Sequence, residues 1–414
     1  MKSPEIATLS NGIRIVHHRV SNTKIVHCGI MLDIGSRDEN PTNQGIAHFW
    51  EHMAFKGTRK RKAFHIVNRL ESLGGELNAF TDKEKILFYA SLRDDYYERA
   101  VELLTDITFE SVFPENQIDR ERNVILEEMM MYLDDPDDSL NDEFDAVVFG
   151  DHPLGMNILG TEKTVKSFKR KDFRQFIKEN LDTRRVVFCS VGNISVSKAV
   201  KIAERYLAKI PKIVSRKKRK PFLGYKPREV VVKRDTKQSR VAIGRPSYKL
   251  DDNRRVPFAM LTNILGGNGL NSRLNLALRE RRGYVYSVGA QYIPYTDVGL
   301  FAISFGTEPK QMKKSLELVN LELQKLRDEK MGVKQLSAAK EQMMGNIAMA
   351  EENNLNFMMT VARGVLDMGE IATLEEVFQR IRDTSSQKIQ QLANEMFVDE
   401  KMSFLLMEPK KGKR

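Results

Sequence analysis

The hydrophobic pattern changes period several times along the chain, and each change predicts an element. Ile13-Arg14-Ile15-Val16 and residues 25–32 are rich in β-branched side chains, with Asn11-Gly12 and Ser21-Asn22 as turn signals, and predict two strands. Residues 43–56 predict a helix, with Thr42 as N-cap and Gly57 as stop. Residues 63–73 predict a second helix closed by Gly74-Gly75, residues 85–92 a strand, and residues 95–109 a helix with apolar positions at Val101, Leu104, Ile107 and Phe109. Pro114 opens a long helix through Ile118, Ile125 and Met129 that should end near Asp134-Asp135-Pro136. Residues 140–149 then predict a helix, 186–191 a buried strand and 195–210 another helix. After a break at 211–225 the plan resumes. Strands are expected near Val230 and Val241, a helix over 256–265, then Gly266-Gly267-Asn268-Gly269 and another helix. Strands at 284–292 and 299–305 and long helices at 311–330 and 333–368 follow.

The fold class expected from this order is α+β. It comprises two similar-sized α/β-sandwich domains, a duplicated unit with antiparallel-type sheets and helices, joined by a basic linker. The boundaries predicted are 1–210 for the first domain, 211–225 for the linker and 226–414 for the second. A length of 414 residues agrees with two or three domains at about 150 residues each. The linker carries Arg216-Lys217-Lys218-Arg219-Lys220-Pro221, a like-charged run that reads as exposed.

Composition narrows the function. No apolar run approaches the roughly 20 residues of a membrane span, and the N-terminus has no apolar core of a secretory signal. Two cysteines, Cys28 and Cys189, make no disulfide framework, so a reducing, cytoplasmic setting is expected. The net charge of +11 invites a nucleic-acid reading. Nine of those charges, however, lie in two tracts: the five residues Arg216 to Lys220, and Lys410, Lys411, Lys413 and Arg414. With +2 left for everything else and no aromatic-interleaved basic stripe, nucleic acid is not an expected partner.

The chemistry is concentrated in His48-Phe49-Trp50-Glu51-His52. Four residues apart on a helix, the two imidazoles point the same way and can share one metal, while Glu51 faces the open coordination position. A half-buried helix face with hydrogen-bonded histidines is the competing explanation of the pair alone. Glu121 and Glu128, two turns apart on the long helix, share a face; one can complete the metal site while the other holds a ligand imidazole. Spacing does not choose between them, and taken alone they read as a solvated helix face.

H-x-x-E-H is the inverted zincin motif. With Glu128 in ERNVILEE 76 residues beyond His52, the chain resembles the pitrilysin family of zinc peptidases, in particular its short-chain branch with mitochondrial processing peptidase and bacterial relatives. Gly74-Gly75-Glu76-Leu77-Asn78-Ala79-Phe80-Thr81 is similar to the family segment whose edge strand receives substrate. LGTEKTVKSF at 159–168, Val191-Gly192-Asn193, Asn271-Ser272-Arg273-Leu274 and the run from Arg279 to Ser287 are also similar, in the family's order. The resemblance implies one Zn2+ per chain held by His48, His52 and Glu128, with Glu51 as general base and Glu121 behind a ligand. It further implies Arg279 and Tyr286 assisting from the second domain, and Asn78 and Ala79 binding a peptide substrate. It implies peptide hydrolysis of short or unfolded peptides inside a dimeric clamshell chamber. The expected assembly is a homodimer, or a heterodimer with an inactive partner; a non-catalytic partner subunit is the alternative function. The basic run has no place in the family pattern, and Trp50 is a bulky occupant of a variable position.

Overall fold

The computed structural model describes residues 5–215 and 217–410, so Arg216, Lys411, Lys413 and Arg414 of the two basic tracts lie outside the described residues. The chain forms two compact units that trade segments. The first gathers Met1–Met130, Met156–Lys220 and Met349–Ala372; the second gathers Met131–Gly155, Pro221–Ala348 and Thr373–Arg414. Among the described residues no helix is long and apolar enough to cross a membrane.

The first unit contains strands β1 (Glu5–Thr8), β2 (Arg14–Arg19), β3 (Ile25–Leu32), β4 (Glu76–Thr81), β5 (Ile86–Arg93) and β6 (Val186–Gly192), in the sheet order β1-β2-β6-β3-β5-β4. Only the β2–β6 pair is parallel. All seven residues of β6 are buried, as a strand covered on both faces requires. One face, through Ile15, Ile30 and Phe88, packs on Phe49 and Trp50 of helix Ile46–Ala54 and on helix Tyr97–Phe109. The alternate residues Val16, Met31, Leu87 and Val187 lie under Met358, Val361 and Val365 of helix Asn354–Met368.

The second unit contains β7 (Glu229–Arg234), β8 (Ser239–Ser247), β9 (Val285–Pro294), β10 (Gly299–Thr307) and β11 (Ser403–Pro409), ordered β7-β11-β8-β10-β9, with only β7 and β11 parallel. β1 apart, this repeats the first sheet strand for strand, in order and direction. One face packs on Phe258, Leu261, Leu392 and Phe397; the other, through Ala242, Leu300 and Leu405, packs on Leu140, Phe144 and Val148 of helix Pro136–Phe149. Helix Pro136–Phe149 therefore covers the second sheet, and helix Asn354–Met368, its counterpart in chain order, covers the first.

Three local readings change. Residues 333–368 are two helices, Val333–Glu351 and Asn354–Met368, because the Asn353 side chain accepts from the N–H groups of Leu355 and Asn356 and starts a new helix. The helix expected after Gly269 is present but short, and over Asn275–Glu280 it is a π-helix, wound more widely than an α-helix. Within the basic run, Lys217, Lys218 and Lys220 are exposed as expected, but the Arg219 side chain is 12% exposed. Its guanidinium meets Asp33 at 2.6 Å and Asp38 at 2.8 Å, inside the first unit.

Candidate metal centre

Helix Ile46–Ala54 begins at Gly45 rather than at Thr42. Gly45 has φ 92°, and a Cβ there would lie 2.5 Å from the Leu159 carbonyl oxygen, so backbone and space both demand glycine. A glycine cannot cap with a side chain. Glu39 does it instead, its two carboxylate oxygens accepting from the N–H groups of Gly45 and Ala47, each at 2.8 Å. Burial lifts the Glu39 carboxyl to about 8 even though both bonds favour its charged form.

The apolar face of this helix is buried through Ile46, Phe49, Trp50 and Met53. Trp50 is fully buried edge-on to Phe176, so the bulky residue of the motif turns into the core. The remaining face presents His48, Glu51 and His52. The Nε2 atoms of His48 and His52 are 3.2 Å apart. Glu128 on helix Glu115–Asp134 brings Oε1 to 3.7 Å from His48 Nε2 and Oε2 to 3.4 Å from His52 Nε2. Ligand atoms of the three residues all lie within 4.8 Å of one another.

This donor set fits a zinc ion. A tetrahedral centre with Zn–N bonds of about 2.05 Å separates two nitrogen ligands by about 3.3 Å, close to the spacing of the histidine pair. Two nitrogens and a carboxylate oxygen form one of the common three-ligand sets that leave a fourth position open. Behind the site, His52 Nδ1 donates to Glu121 Oε1 at 3.0 Å, directing Nε2 toward His48 and Glu128. Lys56 holds the other oxygen of Glu121 at 2.7 Å. Packing thus separates the two glutamates that spacing leaves equivalent.

The protein's own charges shape the site. Burial pushes His48 down to about 4, with His52 adding to the effect. Burial also opposes charge on His52, but hydrogen bonds to Glu121 and Glu128, with the charges of Glu128 and Glu51, outweigh it and hold the imidazole up at about 9. The hydrogen bond from His52 keeps Glu128 below the ordinary carboxylate range, against its partial burial. Burial pushes Glu51 up, countered mainly by a 2.6 Å hydrogen bond from Thr81.

Asn78 and Ala79 lie on β4, the last strand of the first sheet, so among the described residues its outer edge has no strand partner within that sheet. Together with Glu51, His52, Phe55 and Leu77 they line a cavity of about 280 Å³. Arg279 and Tyr286 belong to the second unit, with the Arg279 guanidinium 5.8 Å from the Tyr286 ring centroid. Tyr286 is 83% exposed and lies on β9, the edge strand that occupies in the second sheet the place of β4 in the first. Sequence reasoning passed over Glu39, Lys56 and Thr81. Lys56 stands four residues after His52, a spacing that puts it on the histidine face, and Thr81 shares the parity of Ala79; those were the available signals.

Residues 14–162 match the family described as Insulinase (Peptidase family M16), and residues 167–343 match the Peptidase M16 inactive domain. A Bacillus subtilis protein named an uncharacterized zinc protease is 33% identical over 394 residues, covering 95% of each chain. A Rickettsia bellii protein of the same description is 31% identical, covering 95% of this chain and 94% of its own. Among solved structures, one titled peptidase M16 inactive domain from Pseudomonas fluorescens superposes with TM-score 0.91 at 19% identity, covering 100% of this chain and 99% of its own. A protease from Helicobacter pylori gives TM-score 0.90 at 21% identity, covering 98% and 99%. Family matches in both halves and full-length relatives above 30% identity lead to one conclusion: this chain belongs to the insulinase family, peptidase family M16.

Proposed function

We propose that this protein is a zinc-dependent endopeptidase or oligopeptidase that hydrolyses short or unfolded peptides. The observation that carries the proposal is the convergence of His48, His52 and Glu128 on one point, with the Glu51 carboxylate one helical turn from His48 and not among those converging donors. In this reading the three converging residues hold one zinc ion per chain. Bound there, zinc supplies Lewis acidity and lowers the pKa of water from about 15.7 toward 7.

The remaining roles belong to the chain's own groups. Glu51 accepts the proton of the attacking water on Oε1, its oxygen not engaged by Thr81, and passes it to the leaving amine nitrogen as the peptide bond breaks. Glu121 keeps His52 oriented. The outer edge of β4 at Asn78 and Ala79 accepts an extended peptide as an added strand, a mode that binds main chain and is tolerant of sequence. The neighbouring cavity accepts one substrate side chain against Phe55 and Leu77. Arg279 and Tyr286 supply hydrogen-bond donors for charge developing on the substrate carbonyl oxygen. Two copies of the chain, or one copy with an inactive partner, form the dimeric chamber, which admits peptides and excludes folded proteins.

The test is incubation with a mixed peptide library, with and without a chelator, reading cleavage sites by mass spectrometry. Cleavage that stops with chelation, returns with zinc and is lost in Glu51→Gln supports the proposal. Chelator-insensitive cleavage, or full activity of Glu51→Gln, refutes it. Static light scattering across dilution tests the dimer, which fails if activity stays constant while the protein is monomeric.

A further inference from the structure

Among the described residues the hydrogen bond that Glu51 accepts comes from Thr81, whose Oγ1 donates to Oε2 at 2.6 Å. A threonine hydroxyl has one proton to give, so this bond commits it to Glu51 and orients the carboxylate with Oε1 left over. Thr81 is the last residue of β4, the strand that carries Asn78 and Ala79.

The orientation of Thr81 follows from strand parity. Leu77 and Ala79 pack toward the core that includes helix Ile46–Ala54, whereas Phe80 packs toward the opposite face with helix Asn354–Met368. Residue 81 therefore falls on the helix Ile46–Ala54 side. The strand end is held from behind as well. Arg363 of helix Asn354–Met368 lies over the Phe80 ring at 5.4 Å and pairs with Asp82 at 3.0 Å. Asp82 Oδ1 accepts from the N–H groups of Glu84 and Lys85, closing the turn into β5. Residues on both sides of Thr81 are thus fixed by contacts that do not involve Glu51.

We propose that Thr81 is a positioning residue for Glu51, tying the orientation of the proton-transferring carboxylate to the edge strand on which the peptide docks. The inference rests on Glu51 being the base, as proposed above. The hydroxyl is what matters, and not the bulk of the side chain.

Thr81→Val keeps shape and removes the donor; Thr81→Ser keeps the donor; Thr81→Ala removes both donor and packing. Kinetics on a quenched-fluorescence peptide, with zinc content measured by mass spectrometry, are expected to separate them. For Thr81→Val, kcat falls about 10- to 100-fold, the range for losing a hydrogen bond to a charged group, with KM within about twofold and zinc content unchanged. Thr81→Ser restores kcat to within about threefold, and Thr81→Ala behaves like Thr81→Val. Peptide affinity measured by fluorescence anisotropy in a Glu51→Gln background is expected to be unaffected by Thr81→Val. If Thr81→Val keeps kcat within twofold while Glu51→Gln is inactive, the positioning role is refuted and the base assignment stands. Equal losses in Thr81→Val and Thr81→Ser, or loss of zinc from either, also refute it. If Glu51→Gln is itself fully active, the base assignment falls, and this inference with it.

Discussion

Replacing Arg219 with alanine is expected to destabilise the first unit far more than replacing its neighbour Lys218. The Arg219 guanidinium contacts Asp33 Oδ1 at 2.6 Å and both oxygens of Asp38, at 2.8 and 3.0 Å, and donates to the Asp33 and Glu84 carbonyls at 3.2 and 2.9 Å. Among the described residues, alanine leaves the side chain of Asp38, itself 7% exposed, with the hydrogen bond from the Gly35 N–H, and leaves that of Asp33 with Arg185 at 3.3 Å. Breaking one side of a buried ion pair costs about 3–5 kcal/mol. At about 2–4 °C per kcal/mol for a unit of this size, the melting temperature should fall by about 6–20 °C. Lys218→Ala, at an exposed position, should stay within about 0.5 kcal/mol. The pH dependence has a definite sign. Burial alone would raise Asp33, but Arg219, Arg185 and Lys85 hold its carboxyl below the ordinary value. A depressed carboxyl contributes stability that is present above its unfolded pKa, about 3.9, and is lost as pH falls through the lowered folded value. The gap between Arg219→Ala and wild type should therefore be full at pH 7 and narrow below about pH 4. Differential scanning calorimetry of the chelated protein at several pH values is the assay. Equal melting temperatures for Arg219→Ala and Lys218→Ala at pH 7 would refute the buried network.

Three further outcomes are expected. Glu121→Gln should weaken zinc affinity about 10- to 100-fold, measured by chelator competition, because His52 loses the carboxylate that orients it; unchanged affinity would remove Glu121 from the site. Gly45→Ala should yield little folded protein or a melting temperature lowered by several degrees, since φ 92° and the 2.5 Å approach to Leu159 both exclude a side chain; a wild-type melt would contradict the helix start. Tyr286→Phe, at an exposed position, should leave the melt within about 0.5 kcal/mol of wild type while kcat falls; wild-type kcat would end its proposed role.

Local periodicity made the histidine pair legible. Residues four apart on a helix must share a face, whatever that helix later packs against, so His48, Glu51 and His52 could be read from their spacing alone. The two-unit organisation was legible as well, because strand and helix periods recur in the same order in both halves. Periodicity also shows that a helix has an apolar face, and says nothing of which surface covers it. Helix Pro136–Phe149 and helix Asn354–Met368 each lie on the sheet built mainly from the other half of the chain, and nothing in their own residues announces it.

The same limit applied to charge. Arg219 stands in a run of five bases and resembles a solvated residue there; its acidic partners are more than 130 residues away in sequence, and only folding brings them within 3 Å. Glu121 and Glu128 are equivalent by spacing, and tertiary contact alone sends one to the outer nitrogen of His52 and the other to the histidine pair. Thr81 and Glu39 acquire their roles in the same way, by meeting Glu51 and the N-terminus of the histidine helix across a loop or a strand. A helical repeat is set by neighbours in the chain, so sequence determined the motif. Which carboxylate meets which imidazole nitrogen, helix capping and ion pairing depend on which distant groups share a small volume, and the packing of the chain decided those.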